Sequence, residues 1–258
     1  MTEQPWRERW DEVADASVRS LTAGERGPVV VLVPGLGALG YLHDTLAGCG
    51  AWARAFLLDV PGFGKRGPLA CPAELGAVAE TVAAWLDVPD EPVVLVGHST
   101  GAQAALRAAV DRPDRVRSLV LLGPTFPPEQ RRLPGLFRGY LHSSRHEPLG
   151  LLPVTVPYYL RGGARQVARF VRSAQRDRPE QLITRVGCPV LLARGEQDGF
   201  APQDWVDRLA AAAPEAVSRT LPGAHAFPYG QGGLTSRLIA EAALDRNSDL
   251  PGPDGRLR

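Results

Sequence analysis

Val93-Val94-Leu95-Val96-Gly97-His98-Ser99-Thr100-Gly101-Ala102-Gln103 is the stretch that decides how this chain folds. Four consecutive apolar, mostly β-branched residues read as a strand buried on both faces. Gly-His-Ser-Thr-Gly follows at once, and then an Ala-rich run that reads as a helix. A serine at the tip of so sharp a strand-to-helix turn has its hydroxyl thrust out above the sheet. Gly97 and Gly101 flank it because a Cβ at either place would collide with the neighbouring strand or helix. The same turn aims the first backbone N–H groups of the helix at the space beside Ser99, where an oxyanion would form. An ordinary Gly-rich loop can spell the same five letters. It is the strand before and the helix after that point to a nucleophile.

Outward from that stretch, strand and helix patterns alternate. Val29–Val33 is a second continuous apolar strand, ending in Pro34-Gly35-Leu36-Gly37. Further strands read at Trp52–Val60, Ser118–Leu122, Cys188–Ala193 and Val217–Leu221, with a first one around Ser17–Leu21. Helical periodicity falls near 42–48, 73–87 and 102–110, then over Gln203–Ala212 and Leu234–Asp245. Buried strands alternating with helices predict an α/β fold, a mostly parallel sheet wound with helices on both faces. Between 124 and 186 no strand pattern recurs, and helices read near 129–142, 155–162, 164–178 and 180–185. That segment is expected to be an inserted helical cap over the carboxyl ends of the strands, where open α/β sheets place ligands. The expected division is thus a core of 1–123 and 187–245, a cap of 124–186 and a disordered polar tail of 246–258.

A chain of 258 residues, 44% hydrophobic and 22% charged, has ordinary globular composition and enough length for a sizeable core. A net charge of +1 gives no electrostatic argument for a nucleic-acid partner. No apolar run approaches a membrane span, and the polar segment Met1–Asp15 lacks a signal-peptide core. Cys49, Cys71 and Cys188 make an odd count without metal-type spacing, so thiols in a reducing compartment are expected, and the cytoplasm with them. His142 and His146 stand four apart beside Glu147 but lack a third ligand in view, and read as a solvated or cap-packing pair. No metal site is expected.

Five segments carry a resemblance: Pro34-Gly35-Leu36-Gly37, Asp59-Val60-Pro61-Gly62-Phe63-Gly64, Gly97–Gly101, Gly195-Glu196-Gln197-Asp198 and Gly223-Ala224-His225. Over about residues 25–245 the chain resembles the α/β-hydrolase family, serine esterase-like and carrying a helical lid. In that family the catalytic groups follow the order Ser, acid, His. The resemblance therefore implies Ser99 as nucleophile, Asp198 as acid and His225 as base, with Glu196 as the rival acid. It also implies an oxyanion hole from the backbone N–H groups of Thr100 and Leu36. The family usually has His-Gly where this chain has Pro34-Gly35. The donor is a backbone group further on, so it survives that change. His98 adjoins the nucleophile and is expected to face away from it in a structural role. The implied reaction is attack of Ser99 on an acyl carbon, proton transfer through His225, and hydrolysis of the acyl-enzyme by water, with no cofactor. Carboxylic esters are the leading substrates. A biosynthetic thioesterase, a lactonase, a cyclase or acyl-transfer enzyme, and a non-catalytic ligand-binding relative are the alternatives.

Phe126, Leu136, Tyr140, Tyr158, Phe200 and Phe227 are the candidate contacts for an apolar acyl group. Between 124 and 186, eleven Arg stand against Glu129, Glu147, Asp177 and Glu180, a surplus of seven positive charges. Arg165, Arg169, Arg172 and Arg176 share one face of a helix. A solvated outer face is the plain reading of that pattern. The sharper one is a docking surface for an acyl carrier protein or coenzyme A.

Overall fold

The structure is a computed structural model and describes residues 5–244. The tail expected to be disordered, 246–258, lies outside the described residues. Eight strands, β1 (Arg7–Val13), β2 (Ala16–Ala23), β3 (Val29–Val33), β4 (Arg54–Leu58), β5 (Val93–His98), β6 (Val116–Leu122), β7 (Val190–Gly195) and β8 (Ala216–Leu221), form one sheet. Their spatial order is β1-β2-β4-β3-β5-β6-β7-β8. The β1–β2 and β2–β4 pairs are antiparallel, and every other pair is parallel.

The continuous apolar runs become central strands because helices cover both sides of the sheet. Side chains alternate between two cores with period two. Val29, Val31, Val33, Val93 and Leu95 meet α2 (Leu75–Trp85), α3 (Thr100–Asp111) and α8 (Gln203–Ala212) on one face. Val30, Leu32, Val94 and Val96 meet α1 (His43–Gly50) and α9 (Gly232–Leu244) on the other. Each such buried side chain contributes about 1.5–3 kcal/mol relative to exposure.

One strand was not expected. The sequence suggested a strand around Ser17–Leu21, and the structure shows that strand, lengthened as β2, preceded by β1. β1 lies at the sheet edge with its charged residues mostly exposed, so no apolar alternation announces it. Between β6 and β7 comes the helical insert: a 3₁₀ turn at Pro128–Arg131, then α4 (Leu133–Ser144), α5 (Leu151–Gly162), α6 (Ala164–Gln175) and the short α7 (Pro179–Leu182). Phe170 and Ala174 of α6 are buried in the α2–α3 side of the core. The Gln103 side-chain amide of α3 donates to the Ala174 carbonyl at 3.0 Å, tying the insert down.

Candidate active site

The turn at Ser99 is built from close approaches. Ser99 sits at φ 57° between β5 and α3, a conformation that costs an L-residue about 1–3 kcal/mol and lifts its side chain clear of the sheet. A Cβ on Gly97 would lie 2.3 Å from the Gly101 carbonyl oxygen, and one on Gly101 would lie 2.3 Å from that of Val33. Nothing larger than glycine fits at either place.

His225 follows β8, and its Nε2 lies 2.9 Å from the Ser99 hydroxyl, which donates to it. Its Nδ1–H faces both carboxylate oxygens of Asp198 at 3.0 Å. Asp198 leaves β7 fully buried, and its Oδ1 also accepts the backbone N–H groups of Phe200 and Ala201 at 2.9 Å. Burial alone would raise the Asp198 carboxyl, but His225 and those two N–H donors outweigh it and hold the pKa below the ordinary value. Burial likewise opposes the charged form of His225. The Asp198 carboxylate, helped by Glu147, overrides it and raises the imidazole above its ordinary value. Gly123, just after β6, leaves room for this pair, since a Cβ there would come within 3.1 Å of both side chains. Glu196, the rival acid, is exposed and takes part here through its backbone, its N–H donating to the Leu221 carbonyl.

Supporting residues that sequence reasoning missed surround these three. Arg194 is buried and donates to the carbonyls of Ala201 at 2.7 Å, Glu196 at 3.1 Å and Asp198 at 3.4 Å, which fixes the loop that carries Asp198. Glu147, from the link between α4 and α5, accepts the Ala226 backbone N–H at 2.9 Å and so grips the turn that carries His225. Burial pushes its carboxyl upward. The insert reaches the Asp198 loop as well: Gly199 donates its N–H to Ser143 Oγ at 2.8 Å and accepts from Gln130 at 2.6 Å.

His98 does not simply turn away from the site. Its Nε2–H donates to the His225 carbonyl at 2.9 Å, and its Nδ1 accepts from the Tyr41 hydroxyl at 2.8 Å. Burial and the neighbouring His225 push its pKa down to about 3, so it is neutral and that tautomer follows from its partners. Tyr41 in turn accepts the Gly35 N–H at 2.7 Å. A buried hydrogen-bonded chain thus runs from the loop after β3 to the backbone of His225. The only sequence signal for it was a histidine beside the serine.

Above Ser99 opens a cavity of about 880 Å³ between the carboxyl ends of the strands and the insert. Of the expected contacts, Phe126, Leu136, Tyr140 and Phe200 line it, and the Phe200 ring lies 4.8 Å from that of His225. Tyr158 and Phe227 are not among its lining residues. Phe227 is buried in the α1–α9 core beside the His98 ring, and the Arg161 guanidinium stacks over Tyr158 at 4.6 Å. Tyr159, one helical step away, takes the lining position instead. Gly35, Leu36 and Thr100 border the cavity next to Ser99. Thr100 is the first residue of α3, where helix N–H groups have no internal acceptor and the dipole is positive. Such an arrangement can activate a hydroxyl, hold its proton on an imidazole and steady a negative charge beside it.

Residues 30–234 match the sequence model of the Alpha/beta hydrolase family. The chain is 36% identical over 116 residues to the polyketide synthase ThaQ of Burkholderia thailandensis, covering 43% of this chain and 5% of that protein. It is 26% identical over 233 residues to a 2-hydroxy-6-oxononadienedioate/2-hydroxy-6-oxononatrienedioate hydrolase of a Pseudomonas species, covering 78% and 82%. Among solved structures, the carboxylesterase CesB of Bacillus subtilis has the same fold, with a TM-score of 0.67 at 16% identity over 92% of this chain and 91% of the other.

Proposed function

The chain belongs to the alpha/beta hydrolase family, and on that premise we propose that it is a serine hydrolase of carboxylic esters with apolar acyl groups. Ser99 attacks the acyl carbon, and its proton passes to His225 Nε2. The imidazolium is held by Asp198 and gives the proton to the leaving alcohol. Water then repeats the sequence on the acyl-enzyme. The observation that carries this reading is the unbroken line Asp198–His225–Ser99, with steps of 3.0 and 2.9 Å, opening into a mostly apolar-lined cavity. Phe126, Leu136, Tyr140 and Phe200 contact the acyl group, beneath a cap of residues 124–186. Among the described residues no helix is long and apolar enough to cross a membrane. The reading keeps the cytoplasm as the compartment on the cysteines alone, since Cys49, Cys71 and Cys188 are free thiols.

The test is labelling by a fluorophosphonate probe together with hydrolysis of aryl esters of increasing acyl length. Wild-type protein is labelled and active, and both properties vanish in Ser99→Ala. Folded wild-type protein that takes up no label would favour a ligand-binding role and end the proposal.

A second reading, a thioesterase for acyl groups on an anionic carrier, is favoured by one observation. Arg165, Arg169 and Arg172 along α6, and Arg176 just past its end, are exposed, and of these Arg169 pairs with Glu74. On that reading Arg172→Glu raises KM for a carrier-bound thioester and spares small esters. Equal effects on both would discard it.

A further inference from the structure

The loop after β3 does not leave its N–H groups open to the cavity. Gly35 is tied to Tyr41, and Leu36, held at φ 45°, donates its N–H to the Thr100 side-chain hydroxyl at 2.8 Å. The group expected as the second oxyanion donor is therefore already engaged, and its acceptor is the side chain of the residue expected as the first. Thr100 is buried to 1% exposure yet borders the cavity beside Ser99. A threonine hydroxyl can accept two hydrogen bonds and donate one. Here Leu36 fills one acceptor site, and among the described residues no acceptor is bonded to the hydroxyl proton. A hydroxyl proton that no neighbouring protein group holds can be donated in a hydrogen bond to an oxygen bearing negative charge when one arrives beside Ser99.

Resting on the serine-hydrolase reading, we propose that the Thr100 hydroxyl is a catalytic residue that donates a hydrogen bond to the oxyanion alongside the Thr100 backbone N–H, with Leu36 N–H acting through it. When Ser99 Oγ bonds to the acyl carbon, the carbonyl π pair moves onto the carbonyl oxygen and the Ser99 proton moves to His225. The oxyanion then accepts from both Thr100 donors. The hydroxyl keeps its proton throughout, and Leu36 N–H polarises it by bonding to its oxygen. On collapse the carbonyl re-forms, the C–O bond to the leaving group breaks, and His225 returns the proton to the departing alcohol. The Thr100 side chain thus does what a freely pointing backbone amide would otherwise do.

The experiment measures kcat, KM and inhibition by an aryl trifluoromethyl ketone, which forms a tetrahedral adduct on Ser99. It compares wild type, Thr100→Val, Thr100→Ala, Thr100→Ser and the control Ser99→Ala. Thr100→Val keeps the shape and loses the donor. It is expected to lower kcat by roughly 10–100-fold with KM within about twofold, since loss of one oxyanion donor typically costs at least that much. The inhibition constant of the ketone rises by a matching factor, because the lost contact belongs to the tetrahedral state. Thr100→Ser restores both to within a few-fold, and Thr100→Ala reports the same loss should the valine variant fail to fold. If Thr100→Val or Thr100→Ala matches or exceeds wild type while Ser99→Ala is dead, the hydroxyl merely occupies Leu36 and the proposal is overturned. If Ser99→Ala itself retains full activity, the serine mechanism fails instead, and the two failures are distinct.

Discussion

Replacing Glu147 by glutamine tests whether the insert helps to set the strength of the base at His225. The carboxylate accepts the Ala226 N–H at 2.9 Å, one residue from the imidazole it supports. A hydrogen bond to a charged group is worth roughly 1.5–3 kcal/mol and a neutral one roughly 0.5–1.5. Glutamine keeps an acceptor oxygen of the same reach, so the variant loses about 1–1.5 kcal/mol of grip on the turn, equivalent to at most roughly a 13-fold fall in kcat. The pH profile separates lost charge from lost shape. His225 is held above its ordinary pKa chiefly by Asp198, with Glu147 adding in the same direction, and buried His98 beside it is neutral. On the proposed mechanism His225 must be unprotonated to act as base, so the acid limb of kcat/KM reports its pKa. Removing the Glu147 charge lowers that pKa. The acid limb of Glu147→Gln therefore moves to lower pH, so activity persists further into acid while its plateau falls. The assay is hydrolysis of one ester across pH 4.5–9 (on the order of ten points spanning the ordinary His pKa of about 6.5), with melting temperature as a control. A limb that stays put or moves upward would refute the argument, because Glu147 would then carry no charge that His225 feels.

Asp198→Asn should lower kcat by roughly 10³–10⁴-fold with the protein still folded, since the amide cannot stabilise the imidazolium or fix its tautomer. Steady-state kinetics beside circular dichroism check this, and a loss below tenfold would refute the role proposed for Asp198. Tyr41→Phe strips the hydroxyl that joins Gly35 N–H to His98 Nδ1, leaving both buried without that partner. It should cost about 1–3 kcal/mol of stability. That corresponds to a melting temperature lower by several degrees, together with reduced kcat, and an unchanged melt would show that the buried chain is not needed.

Some of this molecule was legible in its letters because burial on both faces leaves a simple mark. Val29–Val33 and Val93–Val96 are apolar at every position, and only a strand covered on both sides needs that. The turn at Ser99 was legible because so sharp a bend requires glycine on either side. Asp198 was separated from Glu196 by family likeness rather than by physics. The structure adds that Asp198 is buried beside His225 while Glu196 faces solvent. What stayed hidden shares one cause: partners far apart in the chain. Glu147 meets Ala226 across 79 residues, and His98 meets the His225 carbonyl across 127. No local pattern encodes such meetings. Tyr158 and Tyr159 are adjacent in an amphipathic helix, and a turn of about 100° per residue decides which one sees the cavity. Strand β1 was missed for the opposite reason to β5, because an edge strand dressed in charge has no apolar rhythm to read.

The contacts from the insert to Gly199 and Ala226 bear on how this scaffold could be re-engineered. Grafting a foreign cap between β6 and β7 looks like a clean swap, since Ser99, Asp198 and His225 all lie outside it. A transplant that omits the counterparts of Ser143 and Glu147 would nonetheless unclamp the loops of Asp198 and His225 together. Chimeras built here should inherit those two side chains before their selectivity is judged.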